Sequence, residues 1–204
     1  PPNSDQKKIC TGYIISSGAI LTAGHCFTVK PRAIQFNVPL STSDGDPVNP
    51  NSPDDQYNLI LVSSDNIGTG KDWAIANTTP KSGKTPALRQ KAFFRAAEIT
   101  NFETPVTGRL SGYGSDGPPP NYGGGNSNRN QYNKTQQTAT GTIPGTAKNT
   151  PNTLCYVIDT QPGNSGSPVT INGTEYAIAI HIKGDGSPCD SSSSAIVNKG
   201  TTFQ

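Results

Sequence analysis

The chain has 204 residues, which is enough for a buried core with a cleft in one large or two small domains. Only 31% of the residues are hydrophobic, and 22 glycines with 18 prolines interrupt the chain too often for a helical bundle. The formal net charge of +2 is spread thinly and no apolar run approaches the roughly 18 residues of a membrane span, so we expect no nucleic-acid or membrane partner.

Short apolar stretches alternate with turn residues along most of the chain. They have the length of strands and many β-branched or aromatic residues, and none continues with a helical period. In chain order we expect strands at residues 13–15, 19–21, 34–38, 59–62, 73–76, 156–158 and 177–182. The pattern therefore predicts a mostly β architecture.

The middle of the chain has a different composition. Residues 87–98 (ALRQKAFFRAAE) carry the one helical pattern, which could equally be a link between two β units. Residues 116–152 are rich in Gly, Pro, Asn and Thr and are predicted to form exposed loops. A soft boundary within residues 80–104 divides the chain into two expected units, residues 1–90 and 91–204.

Cysteines and glycosylation sequons indicate the compartment. The four cysteines contain no C-x-x-C pair, which favours disulfides over a zinc site or a redox motif; they are Cys10, Cys26, Cys155 and Cys189. Sequons of the N-x-T type occur at Asn77, Asn133 and Asn172, although each alone can arise by chance in a chain rich in Asn and Thr. Together with the even cysteine count, they predict a secreted, extracellular glycoprotein.

The string GNSGSP at residues 163–168 lies between two expected strands. Glycines on both sides of Ser165 would let the backbone turn sharply and expose the hydroxyl, with neighbouring N–H groups directed the same way. Such N–H groups stabilise the negative charge that develops during acyl transfer. An ordinary Gly/Ser loop is the alternative, and Ser167 excludes the G-x-S-x-G elbow of α/β-hydrolases.

A nucleophilic serine needs a base to take its proton, and histidine is the usual base. His25 lies beside a cysteine in the string TAGHC, and His181 lies in the expected strand at residues 177–182, where a structural role is commoner. Asp72, just before the strand at residues 73–76, is a candidate for the carboxylate that orients the base. A turn or edge role is the alternative for this aspartate.

Three strings resemble the His, Asp and Ser blocks of chymotrypsin-like serine proteases, in the same order and at similar intervals: TAGHC at 22–26, DWAI at 72–75 and GNSGSP at 163–168. The string GNSGSPV, together with AIH at 179–181, is most similar to the glutamyl endopeptidases related to staphylococcal V8 protease. The resemblance spans about residues 9 to 198. It implies an all-β fold of two antiparallel β-barrels with the active site in the crevice between them.

The resemblance also implies catalytic roles for individual residues. His25 would be the general base, Asp72 its orienting carboxylate and Ser165 the nucleophile. The backbone N–H groups of Gly163 and Ser165 would form the oxyanion hole. The first barrel, residues 1–90, would then carry the histidine and the aspartate. Residues 91–204 would supply a linker and the second barrel, with the serine and the S1 pocket.

The same resemblance implies a disulfide arrangement. Cys10 and Cys26 match the bridge beside the histidine that many chymotrypsin-like enzymes have and the V8 type usually lacks. Cys155 and Cys189 are then left to pair, although neither matches a standard position of the family.

The resemblance leaves two alternatives for substrate specificity at P1. In glutamyl endopeptidases a histidine and a Thr or Ser contact the acidic P1 side chain, and the matching residues here are His181 and Thr160. An imidazole and a hydroxyl can both donate hydrogen bonds to a carboxylate. Asp159, however, stands where trypsin-like members carry the aspartate that binds Lys or Arg. We expect cleavage after Glu, with Lys/Arg specificity through Asp159 as the alternative.

The expected function is that of a secreted serine endopeptidase, a monomer without cofactor that cleaves protein or peptide substrates through an acyl-enzyme. A catalytically silent relative that serves as a binding module is the alternative from another class, because a fold does not fix a function. A metal-dependent hydrolase is disfavoured, since the two histidines are far apart and no H-E-x-x-H motif occurs. We therefore expect no metal site.

Overall fold

The structure is a computed structural model that describes residues 10–98, 102–116, 131–144, 152–184 and 198–203. Strands dominate this part of the chain and form two sheets, antiparallel except for one short parallel pair. The one α-helix described is five residues long, and no helix among these residues is long and apolar enough to cross a bilayer. The expected all-β, chymotrypsin-like fold class is confirmed.

The first sheet has the strand order β1-β2-β5-β4-β3. Its strands are β1 (Tyr13–Ile14), β2 (Ala19–Thr22), β3 (Ala33–Gln35), β4 (Gln56–Asn66) and β5 (Asp72–Thr78). The central strand β5 buries every second residue, as a strand with one face on a core does. In the β4–β5 hairpin Asn66 lies opposite Asp72, so the candidate aspartate stands where the chain leaves the hairpin turn.

The second sheet has the order β8-β7-β10-β11-β12-β9, with β6 paired to β11. Its strands are β6 (Arg95–Ala96), β7 (Val106–Gly112), β8 (Gln137–Ile143), β9 (Thr153–Tyr156), β10 (Pro168–Ile171), β11 (Tyr176–Gly184) and β12 (Asn198–Thr202). Thr142 and Val157 exchange backbone hydrogen bonds of 3.0 and 2.8 Å. Because β8 and β9 are the two ends of the sheet, this bridge closes it into a barrel.

Two apolar clusters stabilise the fold. One fills the second barrel, around Leu110, Ile143, Tyr156, Val169 and Ile178. The other joins the two sheets, since it contains Tyr13, Leu21, Ala23 and Cys26 from the first half together with Ala177, Ile180 and Ile182 of β11. The loops that follow β2 and precede β10 therefore meet at the junction between the sheets.

The structure corrects two sequence-based expectations in the middle of the chain. The helix expected at residues 87–98 is confined to α1 (Pro86–Gln90), because Lys91 takes a left-handed backbone conformation (φ 54°) that ends it. The region expected as loops, residues 116–152, contains β8, which pairs with β7 along its whole length. The division into residues 1–90 and 91–204 stays a prediction.

Candidate active site

His25 and Asp72 are in direct contact. Asp72 Oδ2 lies 2.6 Å from His25 Nδ1, and Asp72 Oδ1 accepts the backbone N–H of His25 at 2.8 Å. A carboxylate can only accept, so Nδ1 carries the ring proton and Nε2 of the neutral ring keeps its lone pair. The exposed fraction of the His25 side chain is 35%, against 9% for Asp72. The pair therefore offers an accessible base whose orienting carboxylate is buried.

The local sequence explains how these two residues meet. His25 lies in the first turn of a 3₁₀ helix (Gly24–Val29), and Asp72 is the first residue of β5. A methyl group at position 24 would collide with the carbonyl oxygen of Asp65, so glycine is needed for this helix to approach the β4–β5 hairpin. The N–H of Asp72 also donates to Thr201 Oγ1 at 3.4 Å, which connects this strand to the second sheet.

Ser165 lies in the loop between β9 and β10 and is partly exposed. Its carbonyl oxygen accepts the N–H of Thr11 at 2.8 Å and lies 3.8 Å from Sγ of Cys26, the residue after His25. The next residue, Gly166, donates its N–H to the His181 carbonyl at 2.7 Å. The structure thus brings the serine loop beside the histidine segment. The catalytic roles of His25, Asp72 and Ser165 stay predictions.

The turn before Ser165 fixes the direction of the Gly163 N–H. The N–H of Asn164 donates to the Gln161 carbonyl at 3.0 Å, and Gly163 has a φ of 104°, as the third residue of a type II turn requires. The Pro162 carbonyl accepts the N–H of Ser115 at 2.7 Å, so in this trans peptide the Gly163 N–H points the opposite way. Within the described residues, neither this N–H nor that of Ser165 donates a hydrogen bond.

Thr11, which is buried, holds this turn from the first half of the molecule. Its Oγ1 donates to the Gly163 carbonyl at 3.0 Å and accepts the N–H of Tyr113 at 2.9 Å, while its own N–H donates to the Ser165 carbonyl. The preceding residue, Cys10, is disulfide-bonded to Cys26. One covalent bridge therefore links the residue before Thr11 to the residue that follows His25.

His181 is buried on β11, with Nδ1 2.6 Å from the Tyr156 hydroxyl. The pKa of His181 is lowered from 6.5 to about 4, mainly by burial and to a smaller extent by the nearby His25. Burial also raises the pKa of Tyr156 well above its usual range, so the phenol keeps its proton and donates it to Nδ1. The ring proton of neutral His181 is then on Nε2, which makes that nitrogen a donor.

Thr160, the second predicted specificity residue, is half-buried and paired with an asparagine. Its Oγ1 donates to Asn198 Oδ1 at 2.8 Å, and Asn198 Nδ2 donates to the Ile158 carbonyl. A methyl group at Gly184, on β11, would collide with Asn198 Oδ1 and approach Thr160 Oγ1 to 3.2 Å. These residues form a polar cluster between the ends of β11 and β12.

Asp159, the alternative specificity residue, is exposed. It lines a cleft of about 180 Å³ together with Ser115, Gln137 and Asn164. A carboxylate that selects a Lys or Arg side chain acts best when water is largely excluded from the pair. The exposure of Asp159 therefore gives no support to the Lys/Arg alternative.

The expected disulfide between Cys10 and Cys26 is present. Cys155 is also disulfide-bonded, and Cys189, its expected partner, lies outside the described residues. Among the described residues, the one group of possible metal ligands is Cys10 with His25 and Cys26. Both cysteines are oxidised and offer no thiolate, so this group does not fit a metal ion.

The three sequon residues differ in their surroundings. Asn77 on β5 and Asn172 in the turn after β10 are exposed. Asn133 is half-buried, and its side-chain amide is engaged at both ends: Nδ2 donates to the Gly45 carbonyl at 2.7 Å and Oδ1 accepts the N–H of Asp116 at 3.0 Å. A glycan on Asn133 would replace one of the two Nδ2 hydrogens of this engaged amide.

Sequence reasoning missed Thr11, Tyr156 and Asn198. Each acts on the site through a contact between distant parts of the chain; Thr11 and Gly163, for example, are 152 positions apart. Thr11 alone had a local signal, because it follows a cysteine that the resemblance placed beside the histidine.

Comparisons with known proteins agree with this fold. A family model described as Trypsin matches residues 3–203. Among solved structures, the thermostable serine protease AL20 from an extremophilic microorganism is 17% identical over 95% of this chain and 84% of that chain, with a TM-score of 0.60. Protease Anisep from Arthrobacter nicotinovorans is 18% identical over 95% and 82%, with a TM-score of 0.56.

The scabies mite inactivated protease paralogue S-I1 is 16% identical over 95% of this chain and 82% of that chain, with a TM-score of 0.58. At such identities, the solved structures establish a shared fold alone. No curated protein sequence matched the chain. The family model nevertheless covers nearly the whole sequence, and the chain therefore belongs to the trypsin family of serine proteases, with the chymotrypsin-like fold.

Proposed function

We propose that this protein is a secreted serine endopeptidase that cleaves proteins or peptides through an acyl-enzyme on Ser165. The observation that carries the proposal is the contact between His25 Nδ1 and the buried Asp72 carboxylate, beside a loop in which the Gly163 and Ser165 N–H groups are left without a partner among the described residues. Secretion is supported by the Cys10–Cys26 disulfide, which persists in oxidising compartments.

In the proposed mechanism, Ser165 Oγ attacks the scissile carbonyl carbon while its proton passes to His25 Nε2. The carbonyl oxygen becomes an oxyanion that accepts hydrogen bonds from the Gly163 and Ser165 N–H groups. His25 then gives its proton to the leaving nitrogen, the C–N bond breaks and the acyl-enzyme remains. Water repeats the sequence, losing a proton to His25 as it attacks, and Ser165 recovers its proton when the acid product leaves.

Asp72 stabilises the cationic ring in both steps, since its carboxylate accepts the Nδ1–H proton and is itself nearly buried. The aspartate also accepts the His25 backbone N–H, which fixes the carboxylate relative to the His25 backbone. The chain's own groups thus supply a base, an orienting acceptor and two fixed donors.

We also propose that the P1 side chain is acidic. The support is the neutral Nε2–H tautomer of His181, which is a hydrogen-bond donor, and the polar cluster of Thr160 and Asn198 at the end of the same strand. Entry of a glutamate carboxylate would favour protonation of His181 and so add an ionic component to the contact. Thr160 donates to Asn198 in the free protein, so its hydroxyl must rotate before it can donate to substrate.

The test of specificity is hydrolysis of matched chromogenic peptides that end in Glu, Lys or Phe, by the wild type and by Asp159→Asn. We expect the Glu peptide to have the highest kcat/KM and Asp159→Asn to leave the order unchanged. Faster cleavage after Lys, lost in Asp159→Asn, would replace the acidic pocket by the Lys/Arg alternative and leave the protease mechanism standing.

A catalytically silent binding module is the second candidate. It is favoured by one observation, the likeness in fold to a protein named as an inactivated protease paralogue. A folded sample that hydrolyses none of the peptides, and whose Ser165→Ala variant is indistinguishable from it, would support this candidate over the enzyme.

A further inference from the structure

Lys134 lies against the turn at residues 161–164, which carries the proposed oxyanion donor Gly163, although no motif points to this lysine. Its Nζ donates to the Pro162 carbonyl at 3.2 Å, and a methyl group at Gly163 would collide with that nitrogen. The Lys134 N–H donates to the Gly114 carbonyl at 2.9 Å, which anchors its backbone next to the turn. No carboxylate within the described residues forms an ion pair with this ammonium group.

The Pro162–Gly163 peptide decides whether the oxyanion hole exists. In a type II turn, the N–H of this peptide points to the side opposite the groups that donate to its carbonyl. A rotation of the peptide plane by about 180° would convert the turn to type I and exchange the positions of the N–H and the C=O. The Pro162 oxygen would then occupy the side from which Gly163 now offers its donor. An acceptor in that place would repel a developing oxyanion.

Two donors hold the peptide in its present orientation. Ser115 gives a neutral N–H at 2.7 Å, and Lys134 gives a charged one at 3.2 Å, both to the Pro162 oxygen. A cation on the carbonyl polarises the peptide and strengthens its N–H as a donor on the opposite side. Burial lowers the pKa of Lys134, which reflects the loss of hydrating water that would otherwise weaken this bond.

We propose that Lys134 is a positioning residue for the oxyanion hole, because its ammonium group both holds and polarises the Pro162–Gly163 peptide. The inference rests on the proposed function. Lys134 touches neither the substrate nor the reacting atoms; it acts through the Gly163 N–H.

The test compares Lys134→Met, Lys134→Arg and the control Lys91→Met. Lys91 is a suitable control because it is exposed and also has a left-handed backbone (φ 54°, against 56° for Lys134). Two readouts are measured for each protein: kcat and KM on the best chromogenic peptide, and the rate of labelling by a small fluorophosphonate, which needs the oxyanion hole but no P1 side chain. Thermal unfolding is recorded for all of them.

Removal of a direct oxyanion donor costs roughly 10² to 10³ in kcat, so an indirect effect should be smaller, about tenfold. We expect Lys134→Met to lower kcat and the labelling rate by about that factor with KM unchanged. Lys134→Arg should retain most of both rates, because a guanidinium can also donate to the carbonyl. Lys91→Met should behave as the wild type.

If the wild type is active and Lys134→Met equals it, the inference on Lys134 is wrong while the protease stands. A raised KM with normal kcat in Lys134→Met would also overturn the positioning role. So would a loss of folding in both Lys134→Met and Lys134→Arg. A folded wild type that neither hydrolyses peptides nor takes up the fluorophosphonate would instead remove the proposed function itself.

Discussion

At the scale of single residues, Asp72 binds His25 through both carboxylate oxygens. Oδ1 accepts the backbone N–H and Oδ2 contacts Nδ1. In Asp72→Asn the amide can keep the first contact, but its NH₂ would face Nδ1 and force the ring proton onto Nε2. We expect kcat to fall by about 10⁴ with little change in thermal unfolding, because the base has lost its lone pair. A loss below tenfold would contradict the assignment of Asp72.

His181 provides a residue-scale prediction about stability. Its pKa is about 4 in the folded protein and 6.5 without burial, so between these values the unfolded chain binds more protons. The free energy of unfolding should therefore fall as the pH drops from 6.5 towards 4, by about 3 kcal/mol from this residue alone.

The measurement for His181 is urea unfolding at pH 7 and pH 4.5, in the wild type and in His181→Asn. Asparagine can place its Oδ1 near the Tyr156 hydroxyl but does not titrate. We expect the loss of stability on acidification to be smaller in the variant by about 2 kcal/mol or more. Equal losses in the two proteins would show that His181 is not the titrating group.

At the scale of elements, the 3₁₀ helix that carries His25 depends on a close approach to the β4–β5 hairpin. A methyl group at Gly24 would collide with the Asp65 carbonyl and come within 2.9 Å of the Trp73 carbonyl, and backbone atoms cannot move aside as side chains do. We expect Gly24→Ala to lower the free energy of unfolding by about 3 kcal/mol, as overpacking does. Gly18→Ala, whose methyl group would lie 3.4 Å from Thr78 Oγ1, is the control and should change it little.

Urea denaturation at neutral pH measures both glycine variants. If Gly24→Ala is as stable as Gly18→Ala, the helix can move away from the hairpin. His25 would then be less firmly placed than the structure indicates.

The elements also show what the sequence could predict. The strings around His25, Asp72 and Ser165 could be recognised in the sequence because each motif is local. The strands at residues 13–15, 19–21 and 73–76 could be predicted from their apolar and β-branched residues. Strand β8 (QTATGTI) was missed because its threonines are exposed and it has little apolar content, so that its pairing with β7 is what defines it as a strand. The helix at residues 87–98 was overextended because the residues at 95–96 pair with the distant β11.

Roles that depend on long-range contacts could not be predicted. Thr11 and Lys134 act on the Ser165 loop through hydrogen bonds to backbone carbonyls, and such acceptors have no sequence signature. The resemblance found the side chains that would react, whereas the structure was needed for those that position them.

At the scale of the whole molecule, the site depends on the junction of the two sheets. Thr11 and Ser165 are joined across it by a backbone hydrogen bond, and Asp72 is joined to Thr201. The Cys10–Cys26 disulfide lies at the same junction and closes a short loop, with a sequence separation of 16. Its removal should therefore affect both stability and activity.

We expect the double variant Cys10→Ala/Cys26→Ala to lose about 3 kcal/mol of unfolding free energy, the usual value for a loop of this size. At a temperature where the variant remains folded, kcat should also fall, because Thr11 and His25 are no longer covalently restrained relative to each other. Urea unfolding and peptide hydrolysis on the same samples check both effects. Full activity in the folded variant would show that the disulfide serves stability alone.

The proposed acyl-enzyme mechanism is tested most directly by trapping the covalent intermediate. The protein is mixed with p-nitrophenyl acetate, which needs no P1 side chain, quenched in acid during the first turnover and digested for mass spectrometry. We expect one acetyl group, on Ser165, formed with the initial release of nitrophenol and absent or greatly slowed in His25→Ala. Turnover without acetylation of Ser165, or acetylation of Ser165 at an unchanged rate in His25→Ala, would contradict this mechanism.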